Sequence, residues 1–364
     1  MTKPDLDLVF LYSENSRIRL RELAALLKKS PQRIQYTLGV LEREGIVHNA
    51  HGIFDYSYFG QILFRVYFKG GYISEQDKTG ILAILKDNPY LLSVYEFSGE
   101  FDLVMELAAP NPSRFNKELK KIAGIIPTLN NYKILLNVVT HMYPRAYLLN
   151  KASTTMQTNS LQNIHPLQGM QPLDKTPEQS IIIGGDREIQ QFDDKELRIL
   201  HHLLLEPKLR LRTLAAKTHL NIKTVQSTLQ QLKKKKIIRG FRSILDYNTL
   251  GIHKFRLFLK LHNHSEEREA QLMHYLLRIN EIVGANKTVG DWNLEIDIES
   301  LDKSRIRHLI AELRHEFKDL IESFNMMEFH KYYKKTYLPR YLFESIEPHG
   351  LMRPLGKITP IGKP

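Results

Sequence analysis

The residues with the clearest chemical purpose lie on one face of a helix in the second half of the chain: Lys223, Thr224, Gln226, Ser227, Gln230 and Lys234. Val225, Leu229 and Leu232 recur at i, i+4 and i+7 and should face a core, which turns the polar set outward. In a major groove, Gln pairs bidentately with adenine, and Lys or Arg with guanine. Lys234, with Arg239 and Arg242 just beyond the helix, is placed for phosphates, which give affinity without sequence information. Eleven basic residues and no acidic one lie between Pro207 and Arg242. The first half has a weaker counterpart in Gln32, Arg33, Gln35 and Tyr36, opposite Ile34, Leu38 and Leu41 and diluted by Glu42 and Glu44. The expected partner is double-stranded DNA, gripped more firmly by the second half.

A second set of candidates sits on turns. Gly99-Glu100-Phe101-Asp102 and Gly290-Asp291-Trp292-Asn293 combine a glycine that permits a tight turn with a polar side chain. Asp102 is suited to an α-ammonium, so Gly99, Asp102, Gly290, Asp291 and Asn293 are candidate contacts for an amino-acid effector. An ordinary hairpin turn uses the same residue types. Glu295, Asp297 and Glu299 alternate with Leu294, Ile296 and Ile298 and read as a solvated strand face. His262 and His264 share a strand face without a carboxylate or thiol partner, so no metal site is expected. Cysteine is absent, and no nucleophile elbow or phosphate loop occurs. No cofactor and no enzymatic activity are expected.

The elements that must carry these residues come twice. Ungapped at an offset of 191, residues 18–69 share 18 identities with 209–260. Ile18-Arg19-Leu20-Arg21-Glu22-Leu23-Ala24-Ala25 returns as Leu209-Arg210-Leu211-Arg212-Thr213-Leu214-Ala215-Ala216, and Gly99 returns as Gly290. Each copy opens with short amphipathic helices, with Ser30-Pro31 and Asn221 as helix starts. Each then shows two short apolar segments that read as a wing hairpin, Ile46-Val47 with Ile53-Phe54 and Ile237-Ile238 with Ile244-Leu245. A βαββαβ order follows, with strands near 62–69, 91–98, 103–108 and 132–143 in the first copy. The fold class is therefore α+β: two winged helix-turn-helix domains and two ferredoxin-like βαββαβ domains in tandem. The expected boundaries are 1–58 and 59–149, a flexible linker at 150–190, then 191–249, 250–345 and a tail at 346–364. Net charge is +12, which favours a polyanion. No run of 18 apolar residues suggests a membrane span, and a cytoplasmic, nucleoid-associated location is expected.

Over both halves the chain resembles the Lrp/AsnC family of transcription regulators. The resemblance rests on the helix start Phe192-Asp193-Asp194-Lys195-Glu196-Leu197, the step Arg19-Leu20-Arg21-Glu22-Leu23-Ala24, the passage Leu41-Glu42-Arg43-Glu44-Gly45-Ile46-Val47 and the hairpin Gly99-Glu100-Phe101-Asp102. It implies DNA binding through the winged helix, face-to-face packing of two βαββαβ sheets, and an amino acid between them. Family members usually carry one unit per chain, so the tandem copy implies a pseudo-dimer within one chain, with higher homo-oligomers open. Asn293 and the run Lys233-Lys234-Lys235-Lys236 depart from the family pattern. The expected function is a sequence-specific regulator. An alternative is a siroheme decarboxylase on the same fold, which needs a pocket with His, Arg or Tyr at the domain interfaces; His253 is one candidate. A further alternative is a co-regulator with one degenerate DNA-binding half.

Overall fold

The computed structural model describes residues 4–70, 75–126, 129, 131–149, 180–262 and 265–344. The first copy begins with helices α1 (Leu6–Glu14), α2 (Leu20–Leu26) and α3 (Pro31–Arg43); the second begins with α6 (Asp194–Leu205), α7 (Leu211–Thr218) and α8 (Ile222–Lys234). Local chemistry sets their starts. Ser30 accepts from the amide of Arg33, with Pro31 in the first turn, Asn221 accepts from Lys223, and Asp193 forms a reciprocal capping box with Glu196.

The expected wing hairpins do not form. Each copy instead contributes one strand, β1 (Val47–Phe54) and β7 (Ile238–Leu245), and the two pair antiparallel with each other. The physical reason is that the tandem partner supplies the hydrogen-bonding edge that each strand would otherwise seek in itself. Burial follows the exchange. Ile53 and Phe54 of β1 pack with Ile199, Leu203 and Leu232 of the second helical domain. Leu245, Tyr247 and Leu250 pack with Phe10, Leu23 and Leu41 of the first. The helical domains also touch directly: the Arg17 guanidinium donates to the carbonyls of Pro207 (2.6 Å) and Leu209 (2.7 Å).

The βαββαβ domains are β2 (Ile62–Phe68), α4 (Glu75–Asp87), β3 (Leu91–Ser98), β4 (Leu103–Ala109), α5 (Pro112–Ile125) and β5 (Tyr132–Met142), then β8 (His253–Leu261), α10 (Glu266–Arg278), β9 (Ile282–Val289), β10 (Leu294–Ser300), α11 (Lys303–Glu316) and β11 (Ile321–Lys335). A short helix, α9 (Tyr247–Leu250), precedes β8. The strands follow in the order β2-β4-β3-β11-β8-β10-β9-β5, and β5 pairs back onto β2, so the eight close on themselves. Each copy's last strand makes the join. β5 pairs with β2 over its first half and with β9 of the other copy over its second; β11 pairs with β8 and then with β3. β11 thereby continues to Lys335, its second part lying on the other copy.

Part of the expected linker is ordered: β6 (Ile181–Gly184) pairs with the end of β5. The tail at 346–364 and residues 151–179 lie outside the described residues. Helices cover the outside of the closed sheet. Ile62, Phe64, Val66 and Phe68 face α4 and α5, while Leu294, Ile296 and Ile298 face α10 and α11. With period-2 alternation, the opposite faces of β2 and β10 point into the enclosure.

Candidate functional site

Inside the closed sheet the chain has placed charge. Arg65 of β2 and Arg256 of β8 stand 191 residues apart in sequence and both are buried. Arg65 donates through Nε to Glu106 (2.7 Å), through Nη2 to Asn286 (3.1 Å), and through Nη1 to Glu295. Arg256 forms a bidentate pair with Asp297 (2.7 and 3.0 Å) and donates to the hydroxyls of Tyr95 (2.8 Å) and Tyr67 (3.1 Å). Lys254 donates to Glu299 (2.9 Å) and to the Tyr247 hydroxyl (3.0 Å). Arg145 bridges Glu299 (3.1 Å) and Glu14 at the end of α1 (3.0 Å).

This corrects the reading of β10. Glu295, Asp297 and Glu299 are an internal face, not a solvated one; Glu295 and Glu299 are each 0% exposed. Alternation alone cannot tell water from a polar interior. Burial alone would raise the Glu299 carboxyl, but Lys254 and Arg145 outweigh it and hold it at about 2. Asp297 is likewise driven well below the usual carboxylate range: burial opposes the shift and Arg256 overcomes it.

A cavity of about 90 Å³ opens off this network, with a wall that includes Arg65, Arg145, Arg242, Lys254, Arg256 and Lys335 as its cations and Glu106, Asp297 and Glu299 as its carboxylates. Glu14 pairs with Arg145 and Arg242, and Glu295 with Arg65, so six cations meet five carboxylates. Among the described residues, Lys335 is the cation without a carboxylate at ion-pair distance; its ammonium donates to the Tyr332 hydroxyl at 3.0 Å. The Nε of Arg242 is buried and has no hydrogen-bond partner. His141 also lines the cavity, and burial, reinforced by Lys287, lowers its imidazole to about 4. His51, stacked on Tyr337 with ring centroids 5.8 Å apart, is lowered to about 3 by burial and by Lys335 beside it. The site is thus biased toward an anion, with neutral imidazoles and tyrosines beside it.

The sequence candidates fall into three groups. Gln32, Arg33, Gln35 and Tyr36 on α3, and Lys223, Gln226, Ser227, Gln230 and Lys234 on α8, are exposed, with Thr224 half-buried. Arg242 is corrected: on β7 it is buried, pairs with Glu14 and donates to the Tyr143 carbonyl (3.2 Å), so it lines the cavity and is not free for a phosphate. Arg239, expected on a wing, is half-buried on the same paired strand.

The turn residues are engaged in holding strands. The Asp102 carboxylate accepts from the amide of Gly70, and the Asn293 side-chain oxygen accepts from the amide of Leu261 at 3.0 Å. Positions 70 and 261 are themselves 191 apart, so Asp and Asn do one task that needs only an acceptor. A Cβ on Gly290 would stand 2.7 Å from Leu135 Cδ2 at φ +144, and Asp291 pairs with Lys133 at 3.1 Å. Asp102 and Asn293, expected as effector contacts, thus each brace a neighbouring strand. His253 opens β8 away from the cavity wall. His264 lies outside the described residues. The residues missed by sequence reasoning, Arg145, His141, Tyr332 and Lys335, sit at or just beyond the ends of β5 and β11. The one available signal was basic and aromatic residues continuing past the apolar part of each strand.

Residues 1–48 match the family of winged helix-turn-helix DNA-binding domains. Over 126 residues, 35% of this chain and 80% of the relative, the chain is 31% identical to the uncharacterized HTH-type transcriptional regulator PH0061 of Pyrococcus horikoshii. The chain belongs to the PH0061 family. A 126-residue match is close to one copy, so the tandem arrangement needs a longer comparison. The siroheme decarboxylase NirDL supplies it, with 94% of this chain and 98% of that one covered, a TM-score of 0.52 and 14% identity. A second NirDL structure, in complex with an iron-uroporphyrin III analogue, gives a TM-score of 0.53 with the same coverage. At this identity the likeness establishes the fold: two helix-turn-helix units of the winged type, whose wing strands β1 and β7 pair with each other, each followed by a ferredoxin-like domain. It overturns the expectation of no enzymatic activity, because a decarboxylase is built on this near-complete architecture. The PH0061-family chain therefore shares its fold with regulators and with an enzyme. Among the described residues no helix is long and apolar enough to cross a membrane.

Proposed function

We propose that this chain is a decarboxylase acting on an anionic tetrapyrrole of the siroheme class. The observation that carries the reading is the internal cavity walled by six cations from both copies. Five of those cations are already paired with carboxylates of the chain, so the excess of one suits a single further carboxylate, which a guanidinium or ammonium holds with charge-assisted bonds. The small size of the cavity, about 90 Å³, suits one carboxymethyl arm and not the whole macrocycle. The Arg242 Nε, buried without a partner, is a donor ready for that arm. Removal of the arm's carboxyl group as CO2 leaves a methyl group and consumes one proton. The likeness to NirDL supports this choice over other anions. The test is direct: siroheme added to the full chain should shift its absorbance and release CO2, and Arg242→Gln should weaken binding. An unchanged spectrum with saturating siroheme would refute the reading.

A second reading has its own observation. On α8, Lys223, Gln226, Ser227, Gln230 and Lys234 share the exposed face of a well-capped helix, as a recognition helix requires. PH0061 is named a transcriptional regulator, and the match of residues 1–48 is to DNA-binding domains. On this reading the chain binds double-stranded DNA, with α8 as the reading helix. Selection from a random DNA pool checks it; loss of enrichment in Lys223→Ala would support α8, and no enrichment by the parent chain would reject DNA binding.

A further inference from the structure

The decarboxylation read above needs an acid to protonate the carbon that loses CO2, and the geometry points to Tyr332 as that acid. This inference rests on the decarboxylase reading. Tyr332 lines the cavity from the crossing half of β11. Its hydroxyl receives a hydrogen bond from Lys335 at 3.0 Å, and the Lys254 ammonium lies 5.4 Å from its ring centroid. Arg256 of β8, Tyr95 of β3 and Tyr247 also face it, with Asp297 of β10 as the nearby carboxylate.

The surroundings suit an acid that must become an anion in mid-reaction. Burial raises the Tyr332 hydroxyl, but Lys254 and Lys335 more than offset it, so its pKa is lowered overall. The other cavity tyrosines, Tyr56 and Tyr337, are pushed upward by burial. The neutral imidazole of His141, lowered to about 4, carries little ionic acid at neutral pH. A phenol whose phenolate is stabilised transfers its proton more readily. The bond between the arm's methylene carbon and its carboxylate breaks, CO2 leaves, and the electron pair stays on carbon. The Tyr332 O–H proton moves to that carbon, giving a methyl group. The phenolate, held by Lys254 and Lys335, then regains a proton from water.

The test uses the full chain and siroheme. Tyr332→Phe should retain the siroheme-induced absorbance change while CO2 release falls about 100-fold or more. Lys335→Met removes a cation that lowers Tyr332, so the alkaline fall in kcat should move to higher pH. Turnover by Tyr332→Phe near the parent rate, or an unmoved alkaline fall in Lys335→Met, would overturn the assignment and leave the decarboxylase reading intact. A parent chain that binds siroheme without releasing CO2 would overturn both. If Tyr332→Phe does not bind, the Lys335→Met profile decides.

Discussion

Replacing Glu299 by Ala would test whether the internal charge is balanced pair by pair. The substitution removes the acceptor of Lys254 at 2.9 Å, of Arg145 at 3.1 Å and of the Tyr147 hydroxyl at 2.8 Å. Lys254 would keep only the Tyr247 hydroxyl, and Arg145 only Glu14. Leaving one partner of a buried pair uncompensated costs about 3–5 kcal/mol. The first copy supplies the control, because the equivalents of Lys254 and Glu299 there are Leu63 and Ala108. The double variant Lys254→Leu/Glu299→Ala puts that apolar pair into the second copy. Removing both charges together avoids the orphaned ammonium, so the double variant should be less destabilised than Glu299→Ala alone, with a coupling of about 1–3 kcal/mol. Equilibrium urea unfolding, followed by circular dichroism and by Trp292 fluorescence, measures each value if the two probes coincide. Additive costs for the two single substitutions would refute the pairwise account.

The same carboxylate predicts an acid limb. Its ordinary value of 4.5 falls to about 2 in the folded chain, so its contribution is complete above pH 4.5 and is lost as pH falls toward 2. It amounts to about 3 kcal/mol, and a stability profile of Glu299→Ala should be flatter over that range. Asp102→Asn should be nearly neutral to thermal unfolding, since Asn293 performs the same acceptor task, while Asp102→Ala should cost about 1 kcal/mol. Gly290→Ala should cost about 1–3 kcal/mol, because its Cβ would stand 2.7 Å from Leu135 Cδ2 in a left-handed backbone; unchanged urea midpoints would count against this.

Features set by neighbouring residues were the ones legible in the sequence. Ser30-Pro31, Asn221 and the Asp193–Glu196 box determine helix starts through contacts within one turn. The repeat exposed the tandem architecture because matching residues keep a constant offset. What remained hidden depends on partners far away in the chain. A short apolar strand such as Val47–Phe54 carries no mark saying whether its edge meets its own hairpin or the other copy. The alternation of β10 was read correctly as a strand and assigned to the wrong surroundings, since only closure of both sheets encloses Glu295 and Glu299. The cavity residues Arg145, His141, Tyr332 and Lys335 come from segments almost 200 residues apart, and no local motif joins them.

Fusion of the two copies permits something that two identical chains cannot easily achieve. Arg65 and Arg256 occupy equivalent positions and face one interior, and Glu295 lies between them, paired with Arg65 and 3.7 Å from Arg256. Its counterpart in the first copy is Val104. In an association of identical subunits, a carboxylate introduced there would arrive in duplicate and add two negative charges to the shared space. In a single gene product it arrives once. The interior can therefore hold an odd charge, and its two ends can evolve toward different tasks without either change being copied onto the other.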